Sequence, residues 1–168
     1  MADFQIVVNR LPSPAVAGDF ASSNPRKSMD AGPSDIQADL TNGVVVGNFV
    51  WVDDAGYAHN TKPGSGVARL GIVARDSNHS VYKQTFTSAG SLVIPPGYAV
   101  TVYTDVDIWV ASTVAVAATQ QKAFANLTTG AMQPGAAGAT ITGCVETPWV
   151  IVTPATLVGD LVKISFGG

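Results

Sequence analysis

The sequence predicts an all-β protein: a single-domain β-sandwich with an extended N-terminal arm. Three observations carry this expectation. Residues 11–36 hold four of the ten prolines, Pro12, Pro14, Pro25 and Pro33, and almost no large apolar side chains. Behind them the chain turns Val-, Thr- and Gly-rich, in short runs punctuated by Gly and Pro. Helix surfaces usually draw on Glu, Lys, Gln and Arg, whereas here a single glutamate, Glu146, stands against eleven aspartates.

The arm comes first. A segment so poor in apolar surface cannot offset its own ordering entropy, so it is disordered or held by something else. Proline fixes φ and disfavours helix in the residue before it, which makes the arm extended. The 26 residues of 11–36 would span roughly 85 Å at full extension, against a radius of gyration of about 15 Å for a body this size. The arm therefore outreaches its own domain. We divide the chain into an arm, residues 1–36, and a sandwich body, residues 37–168.

The body reads as strand after strand. Residues 3–9 (DFQIVVN) form a short strand ahead of the arm. Residues 43–53 (GVVVGNFVWVD) are almost continuously apolar, as expected of a strand covered on both faces, and Asp53-Asp54-Ala55-Gly56 is a turn. Residues 67–75 (VARLGIVAR) follow, with Gly71 marking a bulge or close approach. Residues 79–87 alternate, Val81, Lys83 and Thr85 against Tyr82, Gln84 and Phe86. Pro95-Pro96-Gly97 turns into residues 98–103 (YAVTVY), with Tyr98, Val100 and Val102 on one face. In residues 106–110 (VDIWV), Val106, Ile108 and Val110 face inward, and Asp107 and Trp109 outward. The short link Thr104-Asp105 between these two runs favours an antiparallel hairpin.

Residues 115–127 (AVAATQQKAFANL) permit a helix by composition, but their neighbours are strands, and Thr128-Thr129-Gly130 makes a turn between KAFANL and AMQP. A hairpin is the expectation. Residues 134–139 (PGAAGA) form a loop, residues 140–145 and 149–153 are strands separated by Pro148, and residues 161–166 (LVKISF) alternate with Val162, Ile164 and Phe166 inward. Eight to ten short strands with Gly/Pro turns indicate a sandwich or barrel; no exact repeat occurs, and no amphipathic helices alternate with strands.

Composition narrows the function. With 46% apolar residues a real core is available, while charged residues are only 12%, about half the usual share for a soluble domain. Such a surface is covered by small polar residues or by partner protein. Net charge is −3 with no basic run, so no nucleic-acid partner is expected. No apolar stretch is long enough for a membrane span or follows a basic start as a signal core, so a soluble cytosolic product is expected. The lone cysteine, Cys144, excludes an internal disulfide and reads as a small core side chain. The sequons at Asn78 and Asn126 carry no meaning without secretion.

Chemistry is sought and not found. His59 and His79 sit in polar, turn-like surroundings and lack the spacing of a metal-binding β-barrel, so both read as solvated loop residues, and no metal or cofactor is expected. Asp105 and Asp107 share a strand face but lie at a hairpin tip, without the burial that acid–base work or a hard cation requires. Gly64-Ser65-Gly66 lacks the Lys-Ser/Thr ending of a phosphate loop. Asp76, Ser77 and His79 are too close in sequence to form a triad, and no nucleophile elbow is present. Trp51 and Trp149 lie in apolar runs and read as core; Trp109 shares a face with Asp107 and is a candidate exposed aromatic at an oligomer contact or ligand patch. No catalytic residue emerges.

The stretch Gly18-Asp19-Phe20-Ala21-Ser22-Ser23-Asn24-Pro25-Arg26, followed by Ala31-Gly32-Pro33, resembles the N-terminal signature of the structural cement proteins of tailed-bacteriophage capsids. The aromatic strand Asn48-Phe49-Val50-Trp51-Val52 and the turn Ile94-Pro95-Pro96-Gly97 are similar to that family's. So are Gln121-Lys122-Ala123-Phe124-Ala125, where Gln120 replaces a glycine and Phe124 a tyrosine, and the ending Gly159-Asp160-Leu161-Val162-Lys163-Ile164-Ser165. The resemblance spans nearly the whole chain and supports strand over helix at 121–125.

It implies a capsid cement or decoration protein of jelly-roll type, made in the bacterial host cytoplasm. Such a protein would bind the outer surface of the head as a homodimer or homotrimer and bridge capsomers of the major capsid protein. The arm is the expected gripping element. Phe20 would be an apolar anchor, Arg26 and Lys27 would make charged contacts, and Asn24-Pro25 would set the chain direction. The alternative is a carbohydrate- or receptor-binding sandwich using Tyr57, Tyr103 and Trp109. A metal-dependent β-barrel enzyme is the third reading and has the least support in the sequence.

Overall fold

The computed structural model describes residues 15–30, 32, 35–75, 92–115 and 119–167. The expected strands at 3–9 and 79–87 and residue His79 lie outside these. Among the described residues there is no helix. The first seven strands are β1 (Lys27–Ser28), β2 (Gln37–Ala38), β3 (Val44–Val45), β4 (Phe49–Val52), β5 (Tyr57–His59), β6 (Arg69–Val73) and β7 (Val93–Ile94). They are followed by β8 (Val102–Asp105), β9 (Ile108–Ala111), β10 (Lys122–Asn126), β11 (Met132–Gly135), β12 (Cys144–Ile151) and β13 (Leu161–Phe166).

Six strands form one sheet in the order β1-β8-β6-β4-β5-β2, five form a second in the order β11-β10-β12-β13-β9, and β3 pairs with β7. The main core lies between the two large sheets, with Phe49, Trp51 and Ile72 from one and Ile108, Val110, Trp149, Val162 and Ile164 from the other. The protein is a β-sandwich, as the sequence predicts.

The continuous apolar run at 43–53 is explained by a second core. Side chains alternate across a strand, so Phe49 and Trp51 enter the main core while Val50 and Val52 point the other way, into a cluster with Ile36, Ala38, Val44, Ala58 and Ile94. The run itself is broken: β3 ends at Val45, a turn follows, and β4 begins at Phe49. Gly71 is a close approach, because a Cβ there would meet Val102 Cγ1 at 2.4 Å. The hairpin expected around Thr128-Thr129-Gly130 is present as β10 and β11, with Phe124 opposite Gln133. Val162 and Ile164 are fully buried, as expected, while Phe166 stays partly exposed with its ring edge-on to Trp149.

Three local expectations are corrected. The runs around 98–103 and 106–110 are not a hairpin: β8 belongs to the six-stranded sheet and β9 to the five-stranded one. Val106 is buried at the corner between them, and its carbonyl accepts the Trp149 indole N–H at 3.1 Å. Pro148 does not separate two strands; β12 runs through it. The ladder with β10 shifts register there. The Thr147 hydroxyl donates to the Ala123 carbonyl at 2.6 Å, so a bulge absorbs the missing N–H. Pro134 and Gly135 belong to β11 rather than a loop. That strand is the edge of its sheet, where a proline costs no ladder bond.

Candidate interaction surface

Residues 15–30 are laid across the sandwich at the side where β8 passes into β9. Gly18 donates to the Trp109 carbonyl at 2.7 Å, Trp109 donates to Asp19 at 2.9 Å and Ala21 donates to Asp107 at 2.9 Å. The segment thus extends the five-stranded sheet at its β9 edge. The Gly18 carbonyl also accepts from Arg75, at 2.7 Å, just past β6, so one residue ties the two sheets together. Only glycine fits: φ is +93°, and a Cβ would lie 2.4 Å from Val46 Cγ1 and 3.1 Å from the Arg75 nitrogen. Further along, β1 joins β8, and Met29 donates to Val102 at 2.7 Å with its side chain buried.

Side chains complete the seating. Phe20 packs on the main core, edge-on to Tyr103 with ring centroids 5.4 Å apart. The Arg26 guanidinium stacks 3.6 Å above the Phe20 ring. Asn24 Nδ2 donates to Asp107 Oδ2 at 2.8 Å, and Lys163 lies 3.9 Å from the same oxygen. Burial pushes the Asp107 carboxyl up, but hydrogen bonds with Ser165, Ser22 and Asn24, together with Lys163, outweigh it and hold the group below the ordinary 3.8. Asp19 pairs with Arg75 at 3.5 Å and Lys27 with Asp105 at 3.8 Å. Asp105 and Asp107, which the sequence reads as a mere turn pair, are thus the carboxylates that Lys27 and Asn24 meet.

The five arm residues singled out from the sequence therefore come together, in two roles. The side chain of Phe20 is spent on its own body. Asn24, Pro25, Arg26 and Lys27 form a strip that is exposed throughout, Ser23 to Ser28. Trp109 is half-buried on β9, bonded through its backbone to Gly18 and Asp19. The three aromatics of the carbohydrate reading are not gathered into one platform: Tyr57 is on β5 and Tyr103 on β8, three strands apart in one sheet, and Trp109 is in the other.

Two features escaped the sequence. The first is an apolar tip. Asp160 Oδ2 accepts from the Thr156 N–H, the Thr156 hydroxyl and the Leu157 N–H, all within 2.9–3.0 Å. Gly159 donates to the Ser112 carbonyl at 2.8 Å and Ser112 to the Asp160 carbonyl at 3.0 Å. On this tied loop Leu157 and Val158 are 68% and 71% exposed. Residues 152–159 carry no charge; the only hint in the sequence was that pair of apolar residues between a proline and a glycine.

The second is His59. Instead of a solvated loop residue it is a half-buried member of β5, with Nδ1 2.9 Å from Asp39 Oδ2 and Nε2 3.1 Å from Asp53 Oδ2. Cys144 is half-buried at the start of β12, donating to Gln133 Oε1 at 3.4 Å, rather than a core residue. Among the described residues no group of three His, Cys, Asp or Glu side chains is placed to hold a metal ion.

Comparison with known proteins adds an independent line. The family model described as XM1 gp53 minor capsid protein matches residues 4–166, and the chain belongs to that family. A solved structure, described as the capsid of Myoviridae phage XM1, has a chain that superposes with a TM-score of 0.62 at 17% identity, over 98% of this chain and 97% of that one. At that identity the likeness shows the fold. No curated protein sequence matches. Family membership places the chain among the structural proteins of the phage virion, associated with other capsid components.

Proposed function

We propose that this chain is a cement, or decoration, protein that binds the outer surface of a tailed-phage head and bridges neighbouring capsomers of the major capsid protein. A bridge needs two separate contact faces, and the observation that carries the reading is that the sandwich offers two. The strip from Ser23 to Ser28 is tied through Asn24 to Asp107, just before β9. The apolar tip is tied through Gly159 to Ser112, just after it. Five residues of extended chain separate these anchor points by roughly 17 Å. One face is polar and carries Arg26 and Lys27, suited to carboxylates on a shell subunit. The other is apolar and pre-ordered, so little conformational entropy is lost when it is buried.

The work is mechanical. Packaged DNA presses the shell outward, and each bridging copy adds interface area that opposes separation of capsomers. An interface of ordinary size buries about 1,600 Å². Assembly of the chain into a homodimer or homotrimer raises the effective concentration of each further contact, so individually modest contacts suffice.

Co-sedimentation with undecorated shells tests this. The double variants R26E/K27E and L157D/V158D, each confirmed folded by circular dichroism, are each expected to bind at least about tenfold more weakly. Binding by either variant at the wild-type level would overturn the two-face bridge.

A further inference from the structure

The side-chain cluster around His59 is not used by the capsid reading and lies on another part of the fold. Asp39 follows β2 and Asp53 follows β4, and their outer oxygens both face the imidazole. Each carboxylate spends its other oxygen on its own turn. Asp39 Oδ1 accepts from Thr41 at 2.7 Å, and Asp53 Oδ1 accepts from Ala55 at 3.0 Å and Tyr57 at 2.9 Å. Both carboxylates are therefore fixed before the imidazole meets them. They are the only ion-pair partners of His59 among the described residues. Asp54 sits beside Asp53 in the same turn, and on the facing strand the residue opposite His59 is the uncharged Trp51.

Donor counting decides which form of the imidazole fits. A carboxylate only accepts, and a neutral imidazole has one N–H and one lone pair. With acceptors at 2.9 and 3.1 Å on its two nitrogens, a neutral ring satisfies one carboxylate and turns a lone pair on the other. Only the imidazolium donates to both. We propose that Asp39, His59 and Asp53 form a protonation-locked clasp that fastens the Asp39 end of β2 to β5 and loosens that junction when the imidazole becomes neutral. Strand β2 is the element the clasp acts on, because Asp39 directly follows it. It has two residues, and its pairing with β5, the one parallel pair among the described strands, rests on bonds from Gln37 to Gly56 at 3.0 Å and from Asp39 to Ala58 at 2.9 Å. Its other side is bonded to residues 97–100, Ala38 donating to Tyr98 at 2.8 Å and accepting from Gly97 at 3.0 Å, and Ile36 accepting from Val100 at 2.8 Å.

The electrostatics agree with the donor count. Burial works against charge on His59, but the two carboxylates outweigh it and raise its pKa above the ordinary 6.5. Burial likewise raises both carboxyls, and the turn N–H groups with His59 outweigh it and bring them below 3.8. The sign follows. The histidine's contribution is complete below 6.5 and is lost as pH rises through its raised value. The carboxylates' contribution is complete above 3.8 and is lost as pH falls through their lowered values. The clasp is therefore strongest in mildly acidic solution.

Two NMR measurements on the whole chain test this: titration of the His59 ring, and hydrogen exchange at the Asp39 amide from about pH 5.5 to 8.5, corrected for intrinsic rate. His59 is expected to titrate above 6.5, and Asp39 protection to fall about tenfold across its titration. H59Q is expected to remove that pH dependence. D39N keeps the side-chain size and is expected to lower the His59 titration point, which gives a reading even where H59Q fails to fold. A His59 titration at or below 6.5, the same pH dependence of Asp39 exchange in H59Q, or an unmoved titration point in D39N would each overturn the clasp.

Discussion

The leading segment divides into two stretches that the fold treats in opposite ways. Residues 17–22 are buried or half-buried, strung along β9 by backbone bonds and anchored by Phe20, while residues 23–28 stand exposed, with Asn24 reaching Asp107 and Lys27–Ser28 pairing with β8 of the other sheet. Their side chains differ: Ala17-Gly18-Asp19-Phe20-Ala21-Ser22 supplies the one large apolar ring and two alanines, whereas Ser23-Asn24-Pro25-Arg26-Lys27-Ser28 has two cations and no apolar side chain but the proline. Their backbone partners differ too: the seated stretch lies along the free edge of β9, which supplies partners that the segment cannot supply itself, while Lys27 and Ser28 pair with β8. The segment is seated by one ring, one carboxylate and a few edge bonds, and what remains outside is presented on that frame.

The sharpest way to break the seated stretch is at Gly18. A valine there faces φ of +93° and contacts of 2.4 Å with Val46 and 3.1 Å with Arg75, while its own backbone is bonded to β9. Strain at a left-handed position and overpacking each cost about 1–3 kcal/mol, so G18V is expected to lose about 3 kcal/mol or more by urea denaturation. A loss below about 1 kcal/mol would mean that residues 17–22 do not hold the sheets together.

This seating also marks where the sequence could be read and where it could not. Alternation in residues 106–110, and in 161–166 as far as Ile164, marked the inward faces, because period two is a property of the strand itself, while Phe166 at the strand end stays partly exposed. It did not say which sheet a strand joins, and the two-residue link before Ile108 serves a crossing between sheets as readily as a hairpin. Pro148 looked like a strand end because a proline lacks a donor, and the compensating Thr147 hydroxyl is legible only once β10 lies beside it. Of the five arm residues chosen, Asn24, Pro25, Arg26 and Lys27 lie in the exposed stretch and Phe20 in the seated one. That Phe20 and Asn24 find partners at Tyr103 and Asp107, more than eighty residues on, is written in no local pattern. The same holds for His59, whose carboxylates come from two separate turns.

Asp107 sharpens the comparison at the boundary of the two stretches, since it meets Asn24 and Lys163 at once. Its carboxyl is held below 3.8, so its contribution is present above that value and disappears as pH falls through the lowered one. D107N retains a side-chain acceptor for Asn24 but removes the charge. It is expected to lose about 1–2 kcal/mol near neutral pH and to show a shallower fall in stability between about pH 4 and 2 than the wild type. An acid limb identical to that of the wild type would show that the anchor does not act through charge.

The exposed stretch predicts the smallest stability effect and the clearest separation of roles. Lys27 has a side chain 77% exposed and stands 3.8 Å from Asp105, a pairing worth about 0–1 kcal/mol in water. Arg26 adds a stacked contact on Phe20 of about 0.5–1 kcal/mol. R26A/K27A is therefore expected to unfold within about 1.5 kcal/mol of the wild type, whereas a segment seated through its whole length would lose as much as G18V does. Urea denaturation of both variants side by side makes the comparison. A large loss in R26A/K27A would assign those charges to holding the molecule together. A small one leaves them with no structural work to do on their own body, which is the condition for their serving a neighbour.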